Sequence, residues 1–265
     1  MVTFFERLGH PANVVIQQTK EVMSLFYETL YWIATGPFKG KFSKRETIFE
    51  QMSFAGAGSL MISFFVVFFT GIVIAMQSAY QLKQFGAVVY VAGLVAVTLA
   101  RELAPVLTAL VIAGRVGSAI AAELGTMKVS EQIEALETLA LNPVRFLVVP
   151  RFLALLVMVP ALTMVANIAG MLGGFLIGVF NLNINPYLYI DTTFRFLVTK
   201  DIVTGIIKSF VFAIIIALIA CYQGLKTQGG AEGVGKATTS SVVVSFVLII
   251  VFDCILTGVF FFSNV

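Results

Sequence analysis

Residues 51–82 read QMSFAGAGSLMISFFVVFFTGIVIAMQSAYQL and contain no charged side chain. A helix of about 20 mostly apolar residues crosses the roughly 30 Å hydrocarbon core of a bilayer, so this stretch can span a membrane. The whole chain has the same character, since 59% of its 265 residues are hydrophobic and 12% are charged. Soluble domains carry about 25% charged residues. The composition therefore excludes a disordered chain and argues strongly against a soluble globular protein.

Four further stretches are apolar enough to cross a membrane, so we expect an all-α integral membrane protein with a single domain over residues 1–265. The expected transmembrane helices cover about 52–78, 88–118, 150–178, 202–225 and 239–262. Residues 12–34 carry apolar side chains at near-helical spacing, with polar side chains between them. This pattern indicates an interfacial helix with Tyr31 and Trp32 at the headgroup level, although an amphipathic helix packed on the bundle explains it equally well.

The short loops between the expected spans carry an uneven share of basic residues. Nine lie on the side of the N-terminus, namely Lys39, Lys41, Lys44, Arg45, Lys128, Arg145, Arg151, Lys226 and Lys236, and three lie on the other side, namely Lys83, Arg195 and Lys200. Because basic loops stay in the cytoplasm, this predicts a cytoplasmic N-terminus and, after five spans, a periplasmic C-terminus. The net charge of +3 is mild and the basic residues are scattered, so no nucleic-acid partner is expected.

The stretch from Gly230 to Lys236 matches the phosphate-binding pattern GxxxxGK, but Ala237 stands where that loop needs Ser or Thr to bind magnesium. It also joins two expected spans, where no α/β domain fits, so we interpret it as a flexible cytoplasmic loop. His10 is the only histidine, which excludes a multi-histidine metal site. No other nucleotide, nucleophile or metal motif occurs in the sequence, and no cofactor or metal is expected.

The cytoplasmic segment 123–143 is predicted to form a short amphipathic helix. Ser130 can cap it, Glu131 and Glu134 suit its positive end, and Pro143 ends it. Its apolar face is predicted to contain Val129, Ile133, Leu136 and Ala140. Its net negative charge disfavours an anionic membrane surface and favours docking in a groove on a protein partner.

Three blocks of sequence resemble the MlaE/YrbE permease family. They are RELAP at 101–105, AGRVGSA at 113–119 and ELGTMKVSEQIEAL at 123–136. Members of that family are ABC-transporter permeases that work with MCE lipid-binding proteins, and chloroplast lipid-import permeases are relatives. One departure is Glu134, where an aspartate is expected.

This resemblance implies a homodimer in the bacterial inner membrane, with phospholipid as cargo and a periplasmic MCE assembly above it. Each copy is expected to dock on one cytoplasmic ABC ATPase subunit through segment 123–143. The docking residues implied are Glu123, Lys128, Glu131, Ile133, Glu134 and Leu136. No ATPase motif occurs in the sequence, so ATP hydrolysis is expected on a separate subunit and the permease itself is expected to be non-catalytic.

Five charged residues lie well inside the expected spans, away from their ends, namely Arg101, Glu102, Arg115, Lys208 and Asp253. Each costs roughly 2.5–3.5 kcal/mol at mid-bilayer on insertion scales, so each needs a partner or a function. Counting about 1.5 Å per residue puts Glu102, Lys208 and Asp253 in one layer of the outer half. We therefore predict a buried polar network of Lys208, Asp253 and Arg115, in which Lys208 pairs with Asp253 or Glu102.

Arg101, Thr108 and Arg115 are spaced by seven, which predicts that they share one face of the second span. Pro105 removes a helical hydrogen bond and favours a kink near Arg101. The charged layer can be a structural ion pair that fixes helix packing. Alternatively, Arg101 and Glu102 line an outward-open cavity and contact a lipid headgroup, with an apolar wall formed by Ile74, Met76, Tyr80 and Leu103.

Two other classes of function are compatible with parts of the sequence. An ion-coupled secondary transporter would use Glu102 or Asp253 as its coupling carboxylate, but such proteins are built from repeats, and five spans do not divide into equal halves. A membrane enzyme acting on lipids would need a nucleophile or base beside these carboxylates, and the sequence offers none.

Overall fold

The computed structural model describes the backbone of residues 2–36 and 45–262 and the side chains of residues 16–36 and 45–261. Every regular element in these ranges is helical. Five helices are long and apolar enough to cross a membrane, namely Arg45–Lys83, Val88–Val129, Val144–Phe180, Thr199–Leu225 and Gly230–Phe261. The predicted all-α fold with five transmembrane helices is confirmed. Each span extends beyond its predicted range at one or both ends.

The first helix, α1 (Val2–Thr35), packs one face on the bundle. Leu25 and Thr29 on this face are buried, while Tyr31 on the opposite side is half exposed. Trp32 packs against the main hydrophobic core. Hydrogen bonds add to this contact, since the Asn142 amide donates to the Glu28 carboxylate at 2.8 Å.

The first span, α2 (Arg45–Lys83), forms its most extensive contact with α7 (Val149–Phe180) of the third span. Glycines allow the two backbones to approach. A Cβ on Gly71 would overlap the carbonyl oxygen of Gly170, and a Cβ on Gly173 would overlap that of Phe68. Small residues at these positions are what close helix packing in a membrane requires.

The second span is not one continuous α-helix. A short 3₁₀ turn (Val88–Tyr90) leads into α3 (Val91–Thr98), α4 (Ala104–Ile112) and α5 (Ser118–Val129), which are separated by π turns at Leu99–Leu103 and Ala113–Gly117. The first π turn directly precedes α4, whose second residue is Pro105, which lacks an N–H to donate.

The π turns overturn the prediction that Arg101, Thr108 and Arg115 share one face. A π turn contains more residues than an α turn, so the spacing of seven no longer returns to the same side of the helix. Arg101 contacts Asp201 of the fourth span, Thr108 is fully buried, and Arg115 contacts Ser59 of the first span.

Segment 123–143, predicted to form one short amphipathic helix, is divided between two helices. Helix α5 continues to Val129, and a second helix, α6 (Gln132–Thr138), follows it. Ser130 does not cap α6, because its hydroxyl donates to the Thr126 carbonyl at 2.8 Å. Instead Glu131 takes a left-handed conformation with φ of 59° and separates the two helices. Val129 is exposed and Ile133 is buried, so the predicted continuous apolar face is not formed.

Two further elements complete the bundle. A short helix not predicted from the sequence, α8 (Pro186–Phe196), follows the loop after α7 and is capped by Asn185. The fourth and fifth spans are α9 (Thr199–Leu225) and α10 (Gly230–Phe262). The GxxxxGK stretch therefore begins α10 as a helix, and its interpretation as a flexible loop was wrong. We call the two ends of the bundle the α8 end and the α6 end.

Candidate functional site

Lys208 of α9 lies at the centre of a charged cluster. Its side chain is fully buried and contacts the carboxylate of Glu102. Its ammonium also lies 2.8 Å from Oδ1 of Asp253, an ion pair without hydrogen-bond geometry, and donates to the hydroxyl of Thr257 at 2.7 Å. The Thr257 oxygen lies 3.2 Å from both carboxylate oxygens of Glu102. The structure thus brings Lys208 to both of the carboxylates considered from the sequence, and adds Thr257.

Arg101 lies on the α8 side of this cluster. Its Nε donates to Oδ1 of Asp201 at 2.7 Å, and the other oxygen of Asp201 accepts the N–H of Val198 at 3.2 Å. The guanidinium also lies over the ring of Phe261, 4.6 Å from the ring centre. Asp201 was not predicted as a site residue, although its position in the first turn of α9 places it near the depth of Arg101.

The Arg101–Asp201 pair and the Lys208 cluster together form a charged layer that is open to the outside of the chain. The side chains of Arg101 and Glu102 are 35% and 31% exposed, and that of Asp253 is 22% exposed. Ionisable groups inside a membrane face a bundle interior or a water-filled cavity rather than lipid tails. The exposed side of the charged layer is therefore the part of this surface best suited to a polar ligand.

The predicted apolar wall is divided between two places. Ile74 and Leu103 pack partly buried against a core cluster, and Leu103 directly follows Glu102 in the chain. Met76 and Tyr80 are exposed and line a shallow crevice between α2 and the end of α7. No residue of α9 or α10 lines that crevice, so within one chain the structure does not bring Met76 and Tyr80 to the charged layer.

Arg115 lies outside the charged layer. It is 13 residues from Glu102, about 20 Å along the second span toward the α6 end. Its Nη1 donates to the Phe54 carbonyl at 3.1 Å and to the Ser59 hydroxyl at 2.8 Å. The prediction of one polar network containing Lys208, Asp253 and Arg115 was wrong for Arg115, because distance along the helix and the second π turn separate it from the other two.

The residues expected to contact an ATPase lie around α5 and α6. Lys128 pairs with Glu134, and a hydrogen bond from Lys128 holds the pKa of that carboxyl below its usual value. Glu123 pairs with Arg151 at 2.8 Å. Ile133 is 4% exposed and Leu136 is half-buried, so these two support the segment from inside. From Glu131 onward the exposed residues of this segment are Glu131, Gln132, Ala135, Glu137, Thr138, Leu139 and Ala140.

Residues 48–259 match the family model for the permease MlaE, a range that contains the whole charged layer. The chain belongs to the MlaE permease family. The family identification made from RELAP and the two following blocks is thereby confirmed, and the protein is a multi-pass membrane protein of the ABC-permease class.

Curated relatives agree with this assignment. A probable ABC transporter permease protein of Rickettsia prowazekii is 43% identical over 81% of this chain and 83% of its own length. One from Synechocystis is 43% identical over 84% of both chains. The chloroplast protein Trigalactosyldiacylglycerol 1 of Arabidopsis thaliana is 40% identical over 84% of this chain and 63% of its own length.

Proposed function

We propose that this permease is the membrane subunit of an ATP-driven phospholipid transporter that moves lipid between the bacterial inner membrane and a periplasmic MCE protein. The N-terminus lies in the cytoplasm and the α8 end faces the periplasm. Its family and the names of its relatives support an ABC permease. The charged layer carries the lipid part of the proposal, because its Arg101, Glu102 and Asp253 side chains are partly exposed at a depth where the surroundings are apolar.

The chemistry of this layer suits a phospholipid headgroup. Arg101 uses its Nε for Asp201, while its two terminal nitrogens make no hydrogen bond to a described residue. A guanidinium fixed on one side in this way offers a planar pair of donors that matches phosphate oxygens. Glu102 and Asp253 share the single ammonium of Lys208, so they retain capacity to accept hydrogen bonds from hydroxyl or ammonium groups of the headgroup.

A two-fold homodimer would enclose this layer. In α10, 11% of the most apolar stretch is buried within the chain, against 56% in α9. The exposed side of α10 therefore leaves room for a second copy, and two facing charged layers would form one central cavity. The exposed face of α5 and α6 would dock on the ATPase, with Glu131 and Glu137 as its charged contacts.

The experiment is to purify the tagged protein from its own membrane with its partners and to examine it by native mass spectrometry. We expect two permease copies, two ATPase subunits, an MCE oligomer and bound phospholipid. The same complex in vesicles should transfer a fluorescent phospholipid to the MCE protein only with ATP. Arg101→Gln should slow this transfer at least tenfold, whereas Arg195→Gln on the exposed side of α8 should not. A chain that purifies without an ATPase, or transfers lipid without ATP, would overturn the proposal.

An ion-coupled secondary transporter is the second candidate, and one observation favours it. Glu102 and Asp253 face one ammonium, so one of the two carboxylates has no cation of its own, as the coupling carboxylate of such a transporter would. Such a transporter would respond to a proton gradient and would be stopped by a protonophore. ATP-dependent transfer that a protonophore leaves unchanged would exclude it.

A further inference from the structure

Five charged residues lie more than two helical turns from either end of a described span, and four of them are ion-paired. Arg101 pairs with Asp201, and Lys208 pairs with Glu102 and Asp253. Arg115 forms no ion pair with any residue that the structure describes; its partners are a backbone carbonyl and a hydroxyl. An unpaired guanidinium at membrane depth is costly, so its position calls for an anion.

The first span is shaped to hold this guanidinium. Ser59, which accepts from Nη1 at 2.8 Å, is fully buried, and the ring of Phe54 lies 5.1 Å from the guanidinium carbon. The absence of a side chain at Gly58 makes room for Nη2 of Arg115, because a Cβ on residue 58 would overlap this nitrogen. Nε and Nη2 make no hydrogen bond to a described residue, and neither is enclosed by protein. The first span thus holds the guanidinium through Nη1 and leaves Nε and Nη2 able to donate hydrogen bonds to a ligand.

Arg115 lies on a partly exposed face of the second span, which continues past it to Ser118, Ala119 and Ala122. We call the stretch of this face from Glu102 to Arg115 the half-exposed strip; it repeats every four residues and consists of Glu102, Leu103, Val106, Leu107, Leu110, Val111, Gly114 and Arg115. The first and last residues of this strip are charged and the residues between them are apolar. The ends are 13 residues apart, which is about 20 Å along a helix. This distribution of charge matches lipid headgroups at the two ends and acyl chains between them.

Depth and charge together favour a lipid phosphate as the anion. Arg115 is level with Phe54 and Ser59, three to eight residues inside Gln51, or roughly 5–12 Å into the apolar region at the α6 end. A long arginine side chain at this depth reaches toward the headgroup region. In a two-fold homodimer, the Glu102 and Asp253 carboxylates of a second copy lie at the depth of the charged layer, about 20 Å along the span from Arg115, so they do not reach this guanidinium.

We infer that Arg115 binds the phosphate of a phospholipid at the α6 end, so that the half-exposed strip holds two headgroup positions, one at each end. This inference rests on the proposed function, since it makes Arg115 a second contact for the same class of cargo. The guanidinium would bind the phosphate through Nε and Nη2, while Nη1 stays bound to the first span.

The test is a native mass spectrometry titration of the delipidated homodimer with dioleoyl phosphatidylglycerol. The wild type should bind two tight lipids per chain. Arg115→Gln should lose one of them and Arg101→Gln the other, each with at least a tenfold weaker affinity. Gly58→Ala should weaken the same lipid as Arg115→Gln, because it displaces the guanidinium without changing its charge. Arg195→Gln, which also removes one positive charge, should retain both lipids.

Each contrary outcome has a separate meaning. Arg115→Gln protein that melts like the wild type and still binds both lipids overturns the inference. Arg115→Gln protein that becomes monomeric makes Arg115 a contact between copies and also overturns it. Competition by inorganic phosphate at equal concentration would assign the site to free phosphate rather than to a lipid. Two bound lipids without ATP-dependent transfer would overturn the proposed function and leave the site standing.

Discussion

The Nε of Arg101 lies 2.7 Å from Oδ1 of Asp201, although the two residues are 100 positions apart in the chain. Asp201 is 1% exposed, whereas the Arg101 side chain is 35% exposed. The pair joins the π turn of the second span to the first turn of α9. The buried carboxylate therefore fixes one edge of a guanidinium whose other edge remains accessible.

Asp201→Asn should separate the binding role of Arg101 from its structural role. The variant keeps the shape of the side chain but removes its charge, so Arg101 loses its fixed orientation. We expect a modest loss of stability of about 1–2 kcal/mol, because the exposed guanidinium is partly solvated. We also expect weaker lipid binding than in the wild type. Thermal unfolding in detergent and lipid titration measure the two effects, and Asp191→Asn on α8 serves as control. Unchanged lipid affinity would show that Asp201 does not orient Arg101.

Lys208→Met should be far more damaging, because it leaves two carboxylates without their ammonium. Removing one partner of a buried ion pair costs about 3–5 kcal/mol. We expect poor folding, measured as a fall in melting temperature and yield. Lys236→Met, at an exposed ion pair near the start of α10, should have little effect.

A triple variant distinguishes the two roles considered for this cluster. Lys208→Met combined with Glu102→Gln and Asp253→Asn removes all three charges, so stability should largely return. If the cluster only fixes packing, lipid transfer returns as well. We expect transfer to stay impaired, because the headgroup loses its acceptors. Full recovery of transfer would contradict a role of the carboxylates in lipid binding.

The depth of the charged residues could be predicted from the sequence, but their neighbours could be predicted only in part. Counting residues along straight helices placed Lys208, Glu102 and Asp253 in one layer, because each residue adds a fixed rise. The rotation of a side chain about its helix depends on every turn before it. The π turn at Leu99–Leu103 changes that rotation, so the Arg101–Asp201 pair could not be derived from spacing.

The α6 segment shows a second limit of sequence reasoning. Ser130 followed by an acidic pattern is a good helix start, and the sequence therefore favoured a cap at that residue. The structure instead places the break at Glu131, a left-handed residue that is not glycine. Local propensity disfavours this conformation in a residue that carries a side chain, so the sequence pattern did not reveal the break.

Because α2 and α7 pack closely, even a methyl group introduced at their interface should lower the stability of the protein. Gly71→Ala places a methyl group against the carbonyl oxygen of Gly170, which cannot move without shifting α7. Overpacking of this kind costs about 1–3 kcal/mol. Gly235→Ala in α10 is the matched control, because nothing lies within 4 Å of its Cβ and alanine favours a helix. Equal melting temperatures of the two variants would show that the helices separate at no cost.

The attachment of α1 should depend on pH through Glu21. This carboxylate accepts hydrogen bonds from Lys226 and from the hydroxyl of Tyr222, both at 2.7 Å. The bond from Lys226 is the main reason why the pKa of Glu21 is lowered from its usual 4.5. A lowered pKa in the folded state means that the stabilisation is present above the usual pKa and is lost as pH falls below it.

Trp32, the only tryptophan of the chain, reports this attachment because it lies on α1 and packs against the core. The guanidinium carbon of Arg145 lies 5.6 Å from the centre of the Trp32 ring. As pH falls below about 4.5, protonation of Glu21 should release the helix and shift the Trp32 emission to longer wavelength. Glu21→Gln should show the shifted emission already at neutral pH and should lose most of the pH dependence. Glu232→Gln, which breaks an ion pair on α10 away from α1, should behave as the wild type. A Glu21→Gln protein whose emission still shifts at the same pH would show that Glu21 does not control the attachment of α1.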